Sequence, residues 1–182
     1  MTRRPLFLLG FMASGKSTLG RALAKACPEL DFVDLDEEIE SRTGLPIPEI
    51  FAQKGEPEFR RIESEILRET ALPAKIIACG GGTPCHSGNM DFMLLNGTTV
   101  LLQASDETII RRLRLAPGQR PLVDKLLDNP EELLEKIRQM RAQRNQFYSR
   151  CSLVFDANRL ETEQQIADSV DKFINNILNQ PE

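Results

Sequence analysis

The chain has 182 residues, 41% hydrophobic and 27% charged, which allows one domain with a substantial core and excludes wholesale disorder. Its formal net charge of −4 gives no general electrostatic reason to bind nucleic acid or an anionic membrane, and no apolar run is long enough to cross a bilayer. The cysteines (Cys27, Cys79, Cys85 and Cys151) form no C-x-x-C pair and His86 stands alone, so the composition argues for a reduced, cytoplasmic setting and against a zinc site.

In chain order, residues 5–9 read as a buried strand that runs into a glycine-rich turn. Gly10, Gly15, Lys16 and Ser17 fit G-x-x-x-x-G-K-[ST], and residues 18–26 read as a helix with Leu19, Leu23 and Ala26 on its apolar side. Backbone N–H groups of such a loop can wrap polyphosphate, because glycine permits close approach. Lys16 would set a point charge against the outer phosphates, and the Ser17 hydroxyl would ligate a hard cation such as Mg2+. A signal peptide cleaved after Arg3, Arg4 and the short apolar run would destroy this motif.

Residues 30–35 form the second strand candidate, ending in Asp34 and Asp36. If the strand persists through both, the two carboxylates point to the same side, Asp34 toward the metal–phosphate region and Asp36 toward an acceptor hydroxyl. Asp36, Glu37 and Glu38 also suit the first turn of a helix over 37–43. A short helix over 49–53 precedes Gly55, and 57–70 is a helix with Phe59, Ile62, Ile66 and Leu67 facing inward. Strand 75–78 leads into Gly80, Gly81 and Gly82, a run explained by a tight turn, by a ligand ring lying on the backbone, or by both. Strand 99–102 follows, then a helix capped by Ser105 and containing Ile109, Ile110 and Leu113. Residues 111–125 carry dense positive charge with Pro117, Gly118 and Pro121, a composition suiting a mobile surface segment better than a regular helix. A long helix over 130–149, strand 152–155 and a closing helix over 161–178 complete the chain. Five strands alternating with helices predict one α/β domain with a mostly parallel sheet, its ligand crevice at the carboxyl ends of the strands.

Arg60, Arg120 and Arg144 stand at positions from which a planar carboxylate or phosphate could be gripped by two parallel bonds. The set GFMASGKSTLG, DLD, GEPEFRRIE, CGGGTP, RPL and RNQFY resembles the shikimate kinase family in order and spacing, over nearly the whole chain. The resemblance implies a P-loop kinase fold of the nucleoside-monophosphate-kinase type. Its five-stranded parallel sheet would run in the order 2-3-1-4-5, flanked by helices, with a mobile lid at about 112–124. It implies transfer of the ATP γ-phosphate to the 3-hydroxyl of shikimate, on the route to chorismate and the aromatic amino acids.

By the same resemblance, Ala13, Ser14, Gly15, Lys16, Ser17, Thr18, Arg114 and Arg120 bind ATP. Ser17 ligates Mg2+ directly and Asp34 through water. Asp36 holds the shikimate hydroxyls and orients or activates the attacking one. Arg60 and Arg144 grip its carboxylate, and Gly81 and Gly82 line its pocket. Lys16, Asp36 and Arg120 are the catalytic set. Ala13 stands where the family often has glycine, a free position of the loop motif where little loss is expected. Arg112 and Arg114 compete to cover adenine, with Arg114 preferred. The expected molecule is a cytoplasmic monomer acting on small molecules, with no nucleic-acid or membrane partner. Another small P-loop kinase, a regulatory GTPase and a silent binding module are the competing readings. The first would act on a nucleoside monophosphate or a sugar acid, of which two carboxylate-gripping arginines favour the small acid. The second lacks an N-K-x-D sequence, and the third leaves Lys16, Ser17, Asp34 and Asp36 unexplained.

Overall fold

The strand β1 (Leu6–Leu9) is apolar at every position and buried on both sides. Leu6 and Leu8 pack into one layer and Phe7 and Leu9 into the other, the two-residue alternation of a central strand. In the computed structural model, which describes residues 4–116 and 121–179, β1 lies at the middle of a five-stranded parallel sheet. The other strands are β2 (Asp31–Asp34), β3 (Lys75–Ala78), β4 (Thr98–Gln103) and β5 (Leu153–Asp156), in the order β2-β3-β1-β4-β5. Leu8 pairs with Ala78 on one side and Val100 on the other. The resemblance implied this order.

The helices in chain order are α1 (Lys16–Ala26), α2 (Leu35–Thr43), α3 (Ile47–Thr70), α4 (Asn89–Asn96), α5 (Asp106–Leu115), α6 (Pro121–Asp124), α7 (Pro130–Tyr148) and α8 (Glu163–Phe173). Leu19 and Leu23 of α1 and Val170 and Phe173 of α8 join Leu6, Leu8, Ile76 and Phe155 on one face of the sheet. On the other, Ile39 of α2, Phe59, Ile62 and Leu67 of α3, and Met90 and Met93 of α4 pack on Phe7, Leu9 and Ile77. A third cluster joins Phe11 to Ile109 and Leu113 of α5 and Leu133, Ile137 and Met140 of α7.

Local chemistry fixes the helix starts. Ser105, Asn129 and Thr162 each accept a backbone N–H of the first turn at the heads of α5, α7 and α8. α3 is two helices joined at Gly55, whose φ of 79° and ψ of 169° are non-helical, and Pro57 opens the second piece. The basic stretch departs from its reading as irregular. Residues 111–115 continue α5, because Ile109 and Leu113 bury one side of it while the arginines stay on the others.

Candidate active site

The loop between β1 and α1 forms one wall of a crevice of about 740 Å3 at the carboxyl ends of the strands. Gly15 caps α1 with φ 97°, a conformation that aims the free N–H groups of the helix into the crevice. Lys16 turns back over the loop, its Nζ donating to the carbonyls of Gly10 at 3.1 Å and Phe11 at 3.0 Å. Burial lowers its pKa to about 8 despite the opposing pull of Asp36 and Asp34. Ser14 Oγ is buried and without a hydrogen-bond partner among the described residues. That is an orphaned polar atom inside the loop, of the kind a bound phosphate would satisfy. Ala13 sits at φ 57°, in the left-handed region that alanine rarely adopts. Its position is therefore free in the motif and strained in the backbone.

The two aspartates do not share one side of a strand. β2 stops at Asp34, which becomes the N-cap of α2 and accepts the backbone N–H of Asp36 at 3.1 Å. Asp36 thus lies in the first helical turn and still faces the crevice, so both descriptions of it hold together. Water reaches its carboxyl from the crevice, but the walls crowd it. That desolvation, with Asp34 and Glu63 nearby and Lys16 opposing, raises its pKa to about 6. The Ser17 hydroxyl donates to Asp34 Oδ2 at 2.5 Å. The pair offers hard oxygen donors on the open crevice, which fits Mg2+ with water and phosphate oxygens completing its shell. Among the described residues no three carboxylate, cysteine or histidine groups gather as an all-protein metal site.

The glycine run has a steric explanation. A Cβ at Gly80 would lie 3.0 Å from Asp36 Oδ1, one at Gly81 2.9 Å from Arg144 Nη1, and one at Gly82 2.9 Å from Arg60 Nη2. Each glycine leaves room for a different charged side chain. Arg60 comes from α3 and lies over the Phe59 ring at 5.1 Å; Arg144 comes from α7 and lies over Phe11 at 5.4 Å. Tyr148, one turn beyond Arg144, donates to the Gly81 carbonyl at 2.7 Å, and burial pushes its own pKa up to about 12.

The structure therefore brings together Ala13, Gly15, Lys16, Ser17, Thr18, Asp34, Asp36, Arg60, Gly81, Gly82 and Arg144 around one crevice. Arg114 is exposed on α5 and is not part of the lining; Arg112 is. Arg112 donates to the carbonyls of Ala13, Ser14, Ala157 and Asn158, binding the loop to the turn after β5. Arg120 lies outside the described residues. Cys85 and His86 line no part of the crevice, and burial raises the Cys85 pKa, the opposite of an activated thiolate. Two residues of the site went unassigned from sequence. Glu63 is 1% exposed and accepts from Arg60 at 2.9 Å and from Thr83 at 2.6 Å. Its signal was an i, i+3 pairing with Arg60 on the inward side of α3. Tyr148 had only its place four residues after Arg144.

A family model described as shikimate kinase matches residues 12–175. A shikimate kinase from Phocaeicola vulgatus is 41% identical over 172 residues, covering 94% of this chain and 95% of its own. Another, from Thermus thermophilus, is 39% identical over 166 residues, covering 91% and 87%. The crystal structure of shikimate kinase from Bacteroides thetaiotaomicron is similar with a TM-score of 0.86 at 37% identity, over 94% of this chain and 97% of that one. Shikimate kinase from Acinetobacter baumannii in complex with shikimate gives 0.81 at 31% identity, over 97% and 94%.

Proposed function

The chain belongs to the shikimate kinase family and phosphorylates shikimate with ATP at the 3-hydroxyl, on the route to the aromatic amino acids, and from that premise we propose how its residues divide the work. The observation that carries the assignment is a single crevice with Lys16 and Ser17 on one side and Asp36, Arg60 and Arg144 on the other.

On the donor side, the N–H groups at the head of α1 and the Lys16 ammonium hold the ATP phosphates. Lys16 must exchange its two carbonyl partners for phosphate oxygens to do so. Ser17 and Asp34 would hold Mg2+, which when bound offsets phosphate charge. Arg112 takes the adenine side in preference to Arg114, since it already lies in the lining beside Gly15. On the acceptor side, Arg60 and Arg144 grip the shikimate carboxylate. Asp36 orients the attacking hydroxyl and takes its proton late, as the new phosphorus–oxygen bond forms, because a carboxylate is too weak a base to remove it first. Arg120 adds positive charge to the transferred group, and the span 112–124 acts as a lid that excludes water. The molecule works as one cytoplasmic, monomeric domain over residues 1–182.

A coupled assay tests the assignment. ADP release in the presence of ATP and Mg2+ should depend on shikimate and should not be supported by gluconate or AMP. Turnover of gluconate or AMP at the shikimate rate overturns the substrate assignment. Arg120→Ala should lose far more in kcat than in shikimate affinity; the reverse split removes Arg120 from the reaction.

A further inference from the structure

Behind the acceptor side lies a run of buried polar groups that the steps above leave unused. Glu63 Oε1 accepts from Thr83 Oγ1 at 2.6 Å, while Oε2 accepts from Arg60 Nη1 at 2.9 Å. Thr83 and Asn89 are each fully buried. Asn89 Nδ2 donates to the Thr83 carbonyl at 3.0 Å, and Asn89 Oδ1 accepts from Ser64 Oγ at 2.7 Å and Arg68 Nη1 at 2.9 Å. The short 3-10 turn Thr83–Cys85 is thus fastened to α3 directly by the Thr83 hydroxyl, and by the Thr83 carbonyl through Asn89 at the head of α4.

A buried carboxylate must satisfy both oxygens. Beside an arginine, its favoured way is a two-bond fork that takes up the guanidinium. Thr83 works against this by anchoring Oε1, which fixes the rotation of the carboxylate so that Oε2 faces Arg60 and the two share one bond. The other arginine nitrogens reach only the exposed Glu56, at 3.2 Å, a pairing that a ligand can displace. We infer that Thr83 is a positioning residue for the reaction: by holding one oxygen of Glu63 it keeps the Arg60 guanidinium available to the shikimate carboxylate, and Asn89 holds Thr83 in place. This rests on the assignment of Arg60 to that carboxylate.

The test compares shikimate with its methyl ester, which lacks the charge that Arg60 would read. Wild-type enzyme should prefer the acid. Thr83→Val keeps the shape and removes the donor. It should raise KM for shikimate roughly tenfold, leave KM for ATP unchanged, and leave the ester's kcat/KM within about twofold. The acid-to-ester preference then falls about tenfold, and Thr83→Ser restores it. Asn89→Asp, which keeps the acceptor for Ser64 and Arg68 but loses the donor to Thr83, should shift the preference the same way. It carries the test if Thr83→Val does not fold. A wild-type enzyme without the preference overturns the assignment of Arg60, and the inference with it. A wild-type preference that both variants retain overturns the inference alone, as does a parallel rise in KM for ATP.

Discussion

Lys16 and Asp36 carry opposite charges into a crowded crevice, and each pKa moves toward neutrality, to about 8 and about 6. The free enzyme needs Lys16 protonated and Asp36 ionised. A profile of kcat/KM against pH should therefore fall below about 6 and above about 8, and a flat profile across that span would contradict both roles. Asp36→Asn should remove the acid limb, cut turnover ~100-fold or more and leave ATP affinity nearly intact. The same variant should be more stable than wild type. The Asp36 pKa rises from 3.8 to about 6 on folding, so its ionised form opposes the fold above that value and its neutral form does not. Thermal melts should show Asp36→Asn gaining at pH 8, with the gain gone below pH 3.8. An equal gain at both pH values would point to packing instead. The chemistry of these two residues was legible from their motifs. The surroundings that tune them were not, since part of them, Glu63 of α3, Cys79 after β3 and Arg144 of α7, is far away in sequence.

At the scale of elements, the turn after β3 is a mould for side chains arriving from other helices. Gly82 has φ −96°, which any residue adopts, so only space forbids a side chain there. Gly82→Ala would place a Cβ 2.9 Å from Arg60 Nη2 and 3.2 Å from Nη1, the movable end of a long side chain. We expect KM for shikimate to rise at least ~10-fold while the melting temperature stays near wild type. A variant that melts early and binds normally would make the glycine structural only. The phosphate loop offers the converse case. Ala13→Gly relieves a left-handed alanine, worth about 1–2 kcal/mol, against a loss of about 0.5–1 kcal/mol from a floppier unfolded chain. The urea midpoint should rise slightly at unchanged slope. Sequence showed where both turns lie. It could not show that the glycines face Asp36, Arg144 and Arg60, nor that position 13 has positive φ, because those facts belong to packing and backbone angles.

Across the whole molecule, the strand–helix alternation predicted a parallel sheet, while its order rested on family resemblance. The clearest departure was the start of the basic stretch, where the helix capped by Ser105 runs on through residues 111–115 because Leu113 packs inward beside Ile109. The crevice draws side chains from α1, from α2 and α3 together, and from α7, which otherwise belong to three different packing clusters. Ligands that fill it should therefore stabilise the fold as a unit. Shikimate with a non-hydrolysable ATP analogue, each at 100 times its Kd, should add about 2.7 kcal/mol per ligand to unfolding, read as one sharper, later melt. Two separate transitions would show that the layers unfold independently.

A hydroxyl has one proton, and Ser17 commits it to Asp34. Whatever approaches from the crevice next meets lone pairs alone. That spot is blind to anions before any substrate arrives, although it adjoins a loop built to attract them. Entering phosphate is thereby steered onto the amides and Lys16, and its counterion is received one residue further along.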